Sequence, residues 1–400
     1  MTTQLTPVQA DWPALRQGID ITPQPESGKV VVSLPEGAYL RMGQDAADLL
    51  GDLDGTRSRD AVLACWTTRL SEEQATTLLH HFTQLGLLES DITPSSAGSC
   101  RSFRFRKPAT VQLVLYRPQR MTDALRRVGT LARQWPALAG YALLLGAGAA
   151  AALTHLHAAG AVLLRPSWGM WWHIALAMLI VNAVHELGHA TALAYHGGRP
   201  RAMGVMLLYF VCPAFFCDVS ATWRLGRRQR AAVALAGITV NAAAAAAAAL
   251  AAAADLGGHQ EFCWRLAAAN VFTIVFNLLP FIKLDGYLLL LAFVDESHLR
   301  PRAMADARNW LSHHLYRRPA NEHEFHRWWS VPYGLAAMTL PVLLFTSMLV
   351  SLGALSFRAG PIGVIVWSVA ALFALLRLLA GIIRVAFPPP PPAVTSPAPC

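Results

Sequence analysis

Apolar and polar positions divide this chain into two unlike parts. Over roughly the first 95 residues, short β-branched and amphipathic stretches alternate with polar turns, a pattern typical of a small soluble α+β domain. Beyond about residue 136, apolar residues run for about 20 positions at a time, which is the length that a helix needs to cross a bilayer. We predict about six transmembrane helices, at 136–156, 168–195, 231–254, 265–282, 331–352 and 361–387.

The same pattern predicts a mainly α polytopic membrane protein with four segments. Residues 1–95 are expected to form a winged-helix-like cytosolic domain, and residues 96–135 a basic linker with strand-like pieces at 101–106 and 110–116. The membrane domain would cover 136–387. The Pro-rich end, 388–400, is expected to be disordered.

Turn and capping signals give the first domain its predicted elements. The β-branched stretch 29–34 and the stretch 39–42, joined through a Pro-Glu-Gly turn, indicate a hairpin. Three helices should follow, the first over 44–53 and the second capped by Ser58. Ser71, with a glutamine three residues later, forms a capping box for the third.

Charge determines the predicted orientation. The net charge is +9, but only 14% of the residues are charged against 54% hydrophobic ones, and arginines crowd the flanks of the apolar stretches. Arginine-rich loops follow the second and fourth predicted spans, so both termini and these loops should be cytosolic in a multi-pass protein of a bacterial cell membrane. The chain should therefore contact lipid and no nucleic acid. No short apolar core follows the first methionine, so we expect no signal peptide.

Inside the second predicted span lies the sequence V-N-A-V-H-E-L-G-H-A, which contains His185, Glu186 and His189. Histidines four residues apart share one face of a helix, so both imidazoles can bind one ion while the glutamate lies beside them. Polar residues of this kind are costly in hydrocarbon unless they are buried against partners or line a cavity. This pattern indicates a single zinc ion in a hydrolase site.

A zinc site of this type needs a further protein ligand and a position for water. The fourth predicted span ends in N-L-L-P-F-I-K-L-D-G, from Asn277 to Gly286, at the same predicted depth as the histidines. Asp285 is therefore the predicted third ligand. The alternative for Asp285 is a helix cap.

The two motifs together resemble those of the site-2 protease family of intramembrane zinc metalloproteases, over about residues 168–291. Within it, the chain is most similar to the peptide zinc metalloproteases found with ribosomally made, modified peptides, including the daptide type, in part through the block 213–230. The resemblance implies zinc bound by His185, His189 and Asp285, with Glu186 as the general base. It also implies that Asn277 orients the substrate or stabilises the reacting carbonyl. Cys217 departs from the residue that relatives often have there.

The first domain also has a resemblance, carried by L-P-E-G-A-Y-L and A-x-x-L-L-G-D-L-D-G-T-R-S. These residues resemble the peptide-binding chaperone of pyrroloquinoline quinone biosynthesis and related precursor-recognition domains, which bind a leader peptide as an added strand. We therefore expect leader cleavage of a precursor peptide bound through residues 25–90, with biosynthetic enzymes as further partners. Two alternatives are regulated proteolysis of a signalling protein and a non-catalytic role in peptide export or immunity.

Overall fold

The protein is described by a computed structural model. It describes residues 12–24, 28–35, 39–89, 103–106, 110–116, 121–165, 168–208, 212–296, 298–317, 327–358 and 360–386. The chain is mainly helical, with two small antiparallel sheets. The predicted disordered end, 388–400, lies outside the described residues.

The N-terminal part combines a three-stranded sheet with three helices. Strands β1 (Asp20–Gln24), β2 (Lys29–Ser33) and β3 (Tyr39–Gly43) pair in that order. The predicted hairpin is therefore present, and β1 adds a third strand to it. Helices α1 (Gln44–Gly51), α2 (Arg59–Trp66) and α3 (Glu72–Gln84) follow. The Ser58 cap and the Ser71 capping box are both present. The winged-helix comparison for this domain stays a prediction.

The second sheet joins the linker to a segment far along the chain. Its strands β4 (Phe103–Arg106), β5 (Thr110–Tyr116), β6 (Met203–Leu208) and β7 (Cys212–Cys217) pair antiparallel in chain order. The first two match the strand-like pieces predicted in the linker. The other two were not predicted, because β6 forms by pairing with β5 across about 90 residues and short strands of this kind depend on their partners.

Helices form most of the rest of the chain. In order they are α4 (Thr122–Ala132), α5 (Trp135–Thr154), α6 (Leu156–Leu164), α7 (Trp171–Tyr195), α8 (Arg227–Ala253), α9 (Gln260–Asn277), α10 (Asp285–Val294), α11 (Leu299–Tyr316), α12 (Ser330–Arg358) and α13 (Gly360–Ala386). Among the described residues, α5, α7 and α8 are long and apolar enough to cross a membrane. They support a membrane-associated protein. The further spans, assigned from sequence to α9, α12 and α13, and the orientation of the termini stay predictions.

Small residues bring these three helices close together. A Cβ at Gly148 of α5 would lie 2.5 Å from the Cβ of Ala246, and one at Gly188 of α7 would lie 3.1 Å from the carbonyl oxygen of Ala236. Several alanines of α8 are buried, at 245, 246, 248, 249 and 252. The Ala-rich segment of α8 therefore packs against other helices, where small residues allow close approach of the backbones.

The chain forms two compact units. The first contains residues 1–278 and 288–295, which include both sheets and helices α1 to α9. The second contains residues 279–287 and 296–400. Within the second unit, α11 packs on α12 so closely that a Cβ at Gly334 would lie 2.0 Å from the carbonyl oxygen of Ala303.

Candidate metal centre

The histidine pair lies on one face of α7, as its spacing predicts. His185 and His189 are 4% and 5% exposed. Their ring centroids are 4.8 Å apart and their Nε2 atoms 3.1 Å apart. Two ligands on one tetrahedral zinc ion, each bound at about 2.0–2.1 Å, are separated by about 3.3 Å. Both Nε2 atoms can therefore bind the same ion.

Hydrogen bonds at the other ring nitrogens hold the imidazoles in this orientation. Nδ1 of His189 is 2.7 Å from the carbonyl oxygen of Val233, which can only accept. Nδ1 must therefore carry the proton, and the lone pair of Nε2 is left for a metal. Nδ1 of His185 is within hydrogen-bond distance of Oδ1 of Asn241.

A chain of buried amides fixes the tautomer of His185 too. Asn270, which is 0% exposed, donates through Nδ2 to the carbonyl oxygen of Leu266 at 2.9 Å. Its Oδ1 therefore accepts from Nδ2 of Asn241, also at 2.9 Å. This leaves Oδ1 of Asn241 facing His185, so Nδ1 of His185 donates the proton and Nε2 is a ligand atom. Sequence reasoning missed both asparagines, although single buried amides in apolar helices could have indicated them.

A glycine of α8 leaves room in front of the two ligand nitrogens. A Cβ at Gly237 would lie 2.3 Å from Nε2 of His185 and 2.6 Å from Nε2 of His189. Any side chain at this position would collide with both imidazole rings at the atoms proposed to bind the metal. Gly237 was also missed from the sequence, since one glycine in a run of alanines gives little signal.

Asp285 completes the predicted ligand set. It is the first residue of α10. It forms a buried group with His185 and His189 in which one ligand atom from each residue lies within 4.8 Å of the others. Two imidazoles and one carboxylate, with a further position left for water, are a donor set found in catalytic zinc sites. The residues present therefore fit a zinc ion.

Glu186 lies next to the histidines and contacts a strand. Its Oε2 accepts a hydrogen bond from the backbone N–H of Cys217, at 2.8 Å. One turn earlier on α7, Oδ1 of Asn182 accepts from the N–H of Phe215, also at 2.8 Å. Two side chains of α7 thus hold β7 beside the metal-binding turn.

Cys217, its neighbour Asp218 and Asn277 have more ordinary positions. Burial raises the pKa of the Cys217 thiol, with smaller contributions from the charges of Glu186 and Asp218, so this thiol stays neutral. Oδ1 of Asp218 accepts from the N–H of Ser220 at 3.1 Å and closes a local turn. Asn277 is the last residue of α9, and its predicted contact with substrate stays a prediction.

Comparison with known proteins supports the metal assignment. The chain is 29% identical over 134 residues, 32% of its own length, to a Bacillus subtilis (strain 168) protein named "Putative peptide zinc metalloprotease protein YydH". The match spans half of that protein's length. No family model and no solved structure matches the chain. The chain is thus a distant homologue of a protein named as a zinc metalloprotease, which supports a zinc metalloprotease family.

Proposed function

We propose that this chain is an intramembrane zinc endopeptidase of the site-2 protease type. The observation that carries the proposal is the pair of Nε2 atoms, 3.1 Å apart, whose opposite ring nitrogens are both fixed by hydrogen bonds. A histidine pair that only filled a helix interface would not need both lone pairs to converge. The presence of His185, Glu186, His189 and Asp285 together also favours an enzyme over a non-catalytic homologue.

Each residue of the site has a separate task in this proposal. His185, His189 and Asp285 would hold the zinc ion, which supplies an activated water and polarises the scissile carbonyl. Glu186 would take a proton from the attacking water onto a carboxylate oxygen and deliver it to the leaving amine nitrogen. Asn277 would hold the peptide carbonyl. Asn241 and the carbonyl of Val233 keep the imidazoles oriented.

The proposed substrate is a ribosomally made precursor peptide whose leader, or membrane-associated segment, is removed. The support for this part is the N-terminal sheet, in which β1 and β3 are the two outer strands. An extended peptide can pair with the outer strand of a sheet through its backbone. Residues 25–90 would recruit the precursor in this way, in a multi-pass protein whose termini are cytosolic and which works beside other biosynthetic enzymes.

Cleavage can be tested with one catalytic variant and one matched control. The chain would be co-expressed with the precursor peptide encoded nearby, and the products identified by mass spectrometry. Glu186→Ala should yield no mature fragment. The control is Glu261→Gln. Glu261 is a half-exposed residue of α9 that pairs with Arg265 and is not a member of the metal group, so this variant should cleave the precursor like the wild type. Equal cleavage by the wild type and Glu186→Ala would eliminate the proposed mechanism.

Recruitment can be tested without turnover. Full-length Glu186→Ala protein would be titrated with labelled precursor and with the same peptide lacking its leader. We expect tighter binding of the complete precursor. Equal affinity for both peptides would remove the leader-recognition part and leave the protease part intact.

A further inference from the structure

A buried carboxylate joins the N-terminal sheet to the helices of the metal centre. Asp295 follows α10, and its side chain is 4% exposed. Nη2 of Arg41, on β3, lies 2.6 Å from Oδ1, and Nη2 of Arg227 lies 3.1 Å from Oδ2. Arg230 also pairs with Oδ1. We call these four residues the Asp295 cluster.

The backbone of Asp295 takes part as well. Its φ is 57°, in the left-handed region that residues other than glycine seldom adopt. Its carbonyl oxygen accepts from Nη1 of Arg41 at 2.9 Å and from Nζ of Lys29 at 3.4 Å. One arginine of the N-terminal sheet therefore binds both the carbonyl and the carboxylate of the same residue. This two-point contact fixes the direction of the guanidinium as well as its distance.

The cluster is buried enough for its geometry to matter. The side chains of Arg41 and Arg230 are 5% and 7% exposed. Burial by itself would raise the pKa of Asp295, but the hydrogen bonds and the positive charges of Arg41 and Arg230 together outweigh burial and hold that pKa below its ordinary value. Three guanidinium groups share this one carboxylate, so loss of Asp295 would leave the buried charges of Arg41 and Arg230 uncompensated.

Along α8, the cluster continues into the groups that orient the histidines. Arg230 is followed at spacings of three, four and four residues by Val233, Gly237 and Asn241, which places all four on one stripe of the helix. Val233 binds Nδ1 of His189, Asn241 binds Nδ1 of His185, and Gly237 faces both Nε2 atoms. Asp295 thus holds the first turn of the helix whose next turns position both ligands.

Along α10, the cluster lies at the opposite end from the third ligand. The helix begins at Asp285 and ends at Val294, and the N–H of Asp295 still donates to the carbonyl oxygen of Leu291 at 3.0 Å. Ten residues of helix rise about 15 Å. The same helix therefore begins with the predicted third ligand and is followed directly by the carboxylate of the cluster.

The N-terminal sheet contacts the same region at a second point. Tyr39, two residues before Arg41 on β3, packs against the apolar cluster of Leu193, Ala221, Leu225 and Val233. The side chain of Gln24, on β1, donates to the carbonyl oxygen of Leu225 at 3.5 Å. The sheet is therefore seated on the elements that carry His189 and its hydrogen-bond partner.

From these contacts we infer that Arg41 and Asp295 are positioning residues of the metal centre, so that docking of the N-terminal domain sets the zinc affinity of the membrane domain. This inference rests on the proposed zinc site. The inference assigns the N-terminal domain a role besides peptide recruitment. The effect on zinc affinity is transmitted through α8 and α10 and needs no contact between the N-terminal domain and the ion.

Zinc affinity of the purified full-length protein tests the inference. Kd would be measured by competition with a chelator, and absorption after Co²⁺ substitution would report ligand geometry. Arg41→Gln should raise the Kd for zinc, by less than the about 10–100-fold that loss of a ligand's own hydrogen-bond partner costs, because Arg41 acts through Asp295 and α8. Arg41→Lys, which keeps the charge and a donor, should recover part of this loss. Arg69→Gln is the matched control, because Arg69 lies in the same domain in an exposed ion pair with Asp48.

The outcomes separate this inference from the proposed function. A wild-type protein with no affinity for zinc would remove the proposed function and the inference with it. If the wild type binds zinc and Arg41→Gln has the same Kd and the same Co²⁺ spectrum, even with a lower Tm, only the inference fails. Asp295→Asn should raise the Kd for zinc more than Arg41→Gln does. Should that variant not fold, Arg41→Gln still decides, because it leaves Asp295 paired with Arg227 and Arg230.

Discussion

Oδ1 of Asn241 faces Nδ1 of His185, and Nδ2 of the same asparagine donates to Asn270. A side chain of α8 thus connects a predicted metal ligand on α7 to a second buried amide on α9. Each member of this chain can take only one hydrogen-bonding role, because it ends at a backbone carbonyl. The tautomer of His185 is therefore set by packing between helices.

We predict that Asn241→Leu weakens zinc binding about 10–100-fold, because His185 then loses the acceptor that fixes its tautomer. Chelator competition on the purified protein measures the Kd. Thr239→Ala is the control on the same helix, since the exposed Thr239 hydroxyl donates only to the carbonyl oxygen of Ala236 among the contacts described. The Thr239 backbone carbonyl, which accepts from the Tyr141 hydroxyl, is kept in this variant. An unchanged Kd in Asn241→Leu would contradict the role given to the amide chain.

Gly237→Ala should abolish zinc binding while leaving the protein folded. Alanine normally stabilises a helix by about 0.5–1 kcal/mol relative to glycine, so the helix itself favours the change. The new methyl group, however, would lie within 2.6 Å of both ligand nitrogens. Metal analysis and a thermal melt of the same sample check both halves of the prediction. Gly146→Ala, on α5 with open space around it, is the matched control and should bind zinc normally.

Local spacing accounts for what the sequence could predict about this site. The histidines are four residues apart, so any helix brings them together, and Asp285 could be matched to them by its place at the end of a later apolar segment. Asn241, Gly237 and Asp295 could not be identified in this way. Their importance depends on which face of α8 meets α7, and on contacts made across 65 and 254 residues of chain by Arg230 and Arg41. Strands β6 and β7 escaped prediction for the same reason, because β6 pairs with the distant β5 and β7 pairs with β6.

Cys217 should react slowly with alkylating reagents, since burial raises the pKa of its thiol and the thiolate is the reactive form. Variants that retain a single cysteine allow the comparison with Cys65, which is exposed on α2. Iodoacetamide labelling at pH 8, followed by mass spectrometry, should modify Cys65 much faster. Labelling of both residues at one rate would contradict the position of Cys217 against Glu186.

We also expect the Cys217→Ser protein to bind zinc like the wild type, because the Cys217 thiol is not a member of the ligand group.

The Asp295 cluster should make stability depend on acid in a defined direction. The pKa of Asp295 is lowered from an ordinary value of 3.8, so its carboxylate binds protons less readily in the folded protein than in the unfolded one. The stabilisation is therefore fully present above about pH 4–5, and it is lost as the pH falls through the lowered folded-state pKa. Asp295→Asn removes the charge at every pH and leaves buried arginines uncompensated, at a cost of about 3–5 kcal/mol near neutrality. Thermal melts of the wild type and of Asp295→Asn should consequently differ most at pH 6–7, and the two melting temperatures should converge as the pH drops below 3.8. A difference that stays constant down to the lowest pH at which both proteins fold would show that folding does not lower the pKa of Asp295. The ion pairs with Arg41 and Arg230 would then not account for how the N-terminal sheet is held.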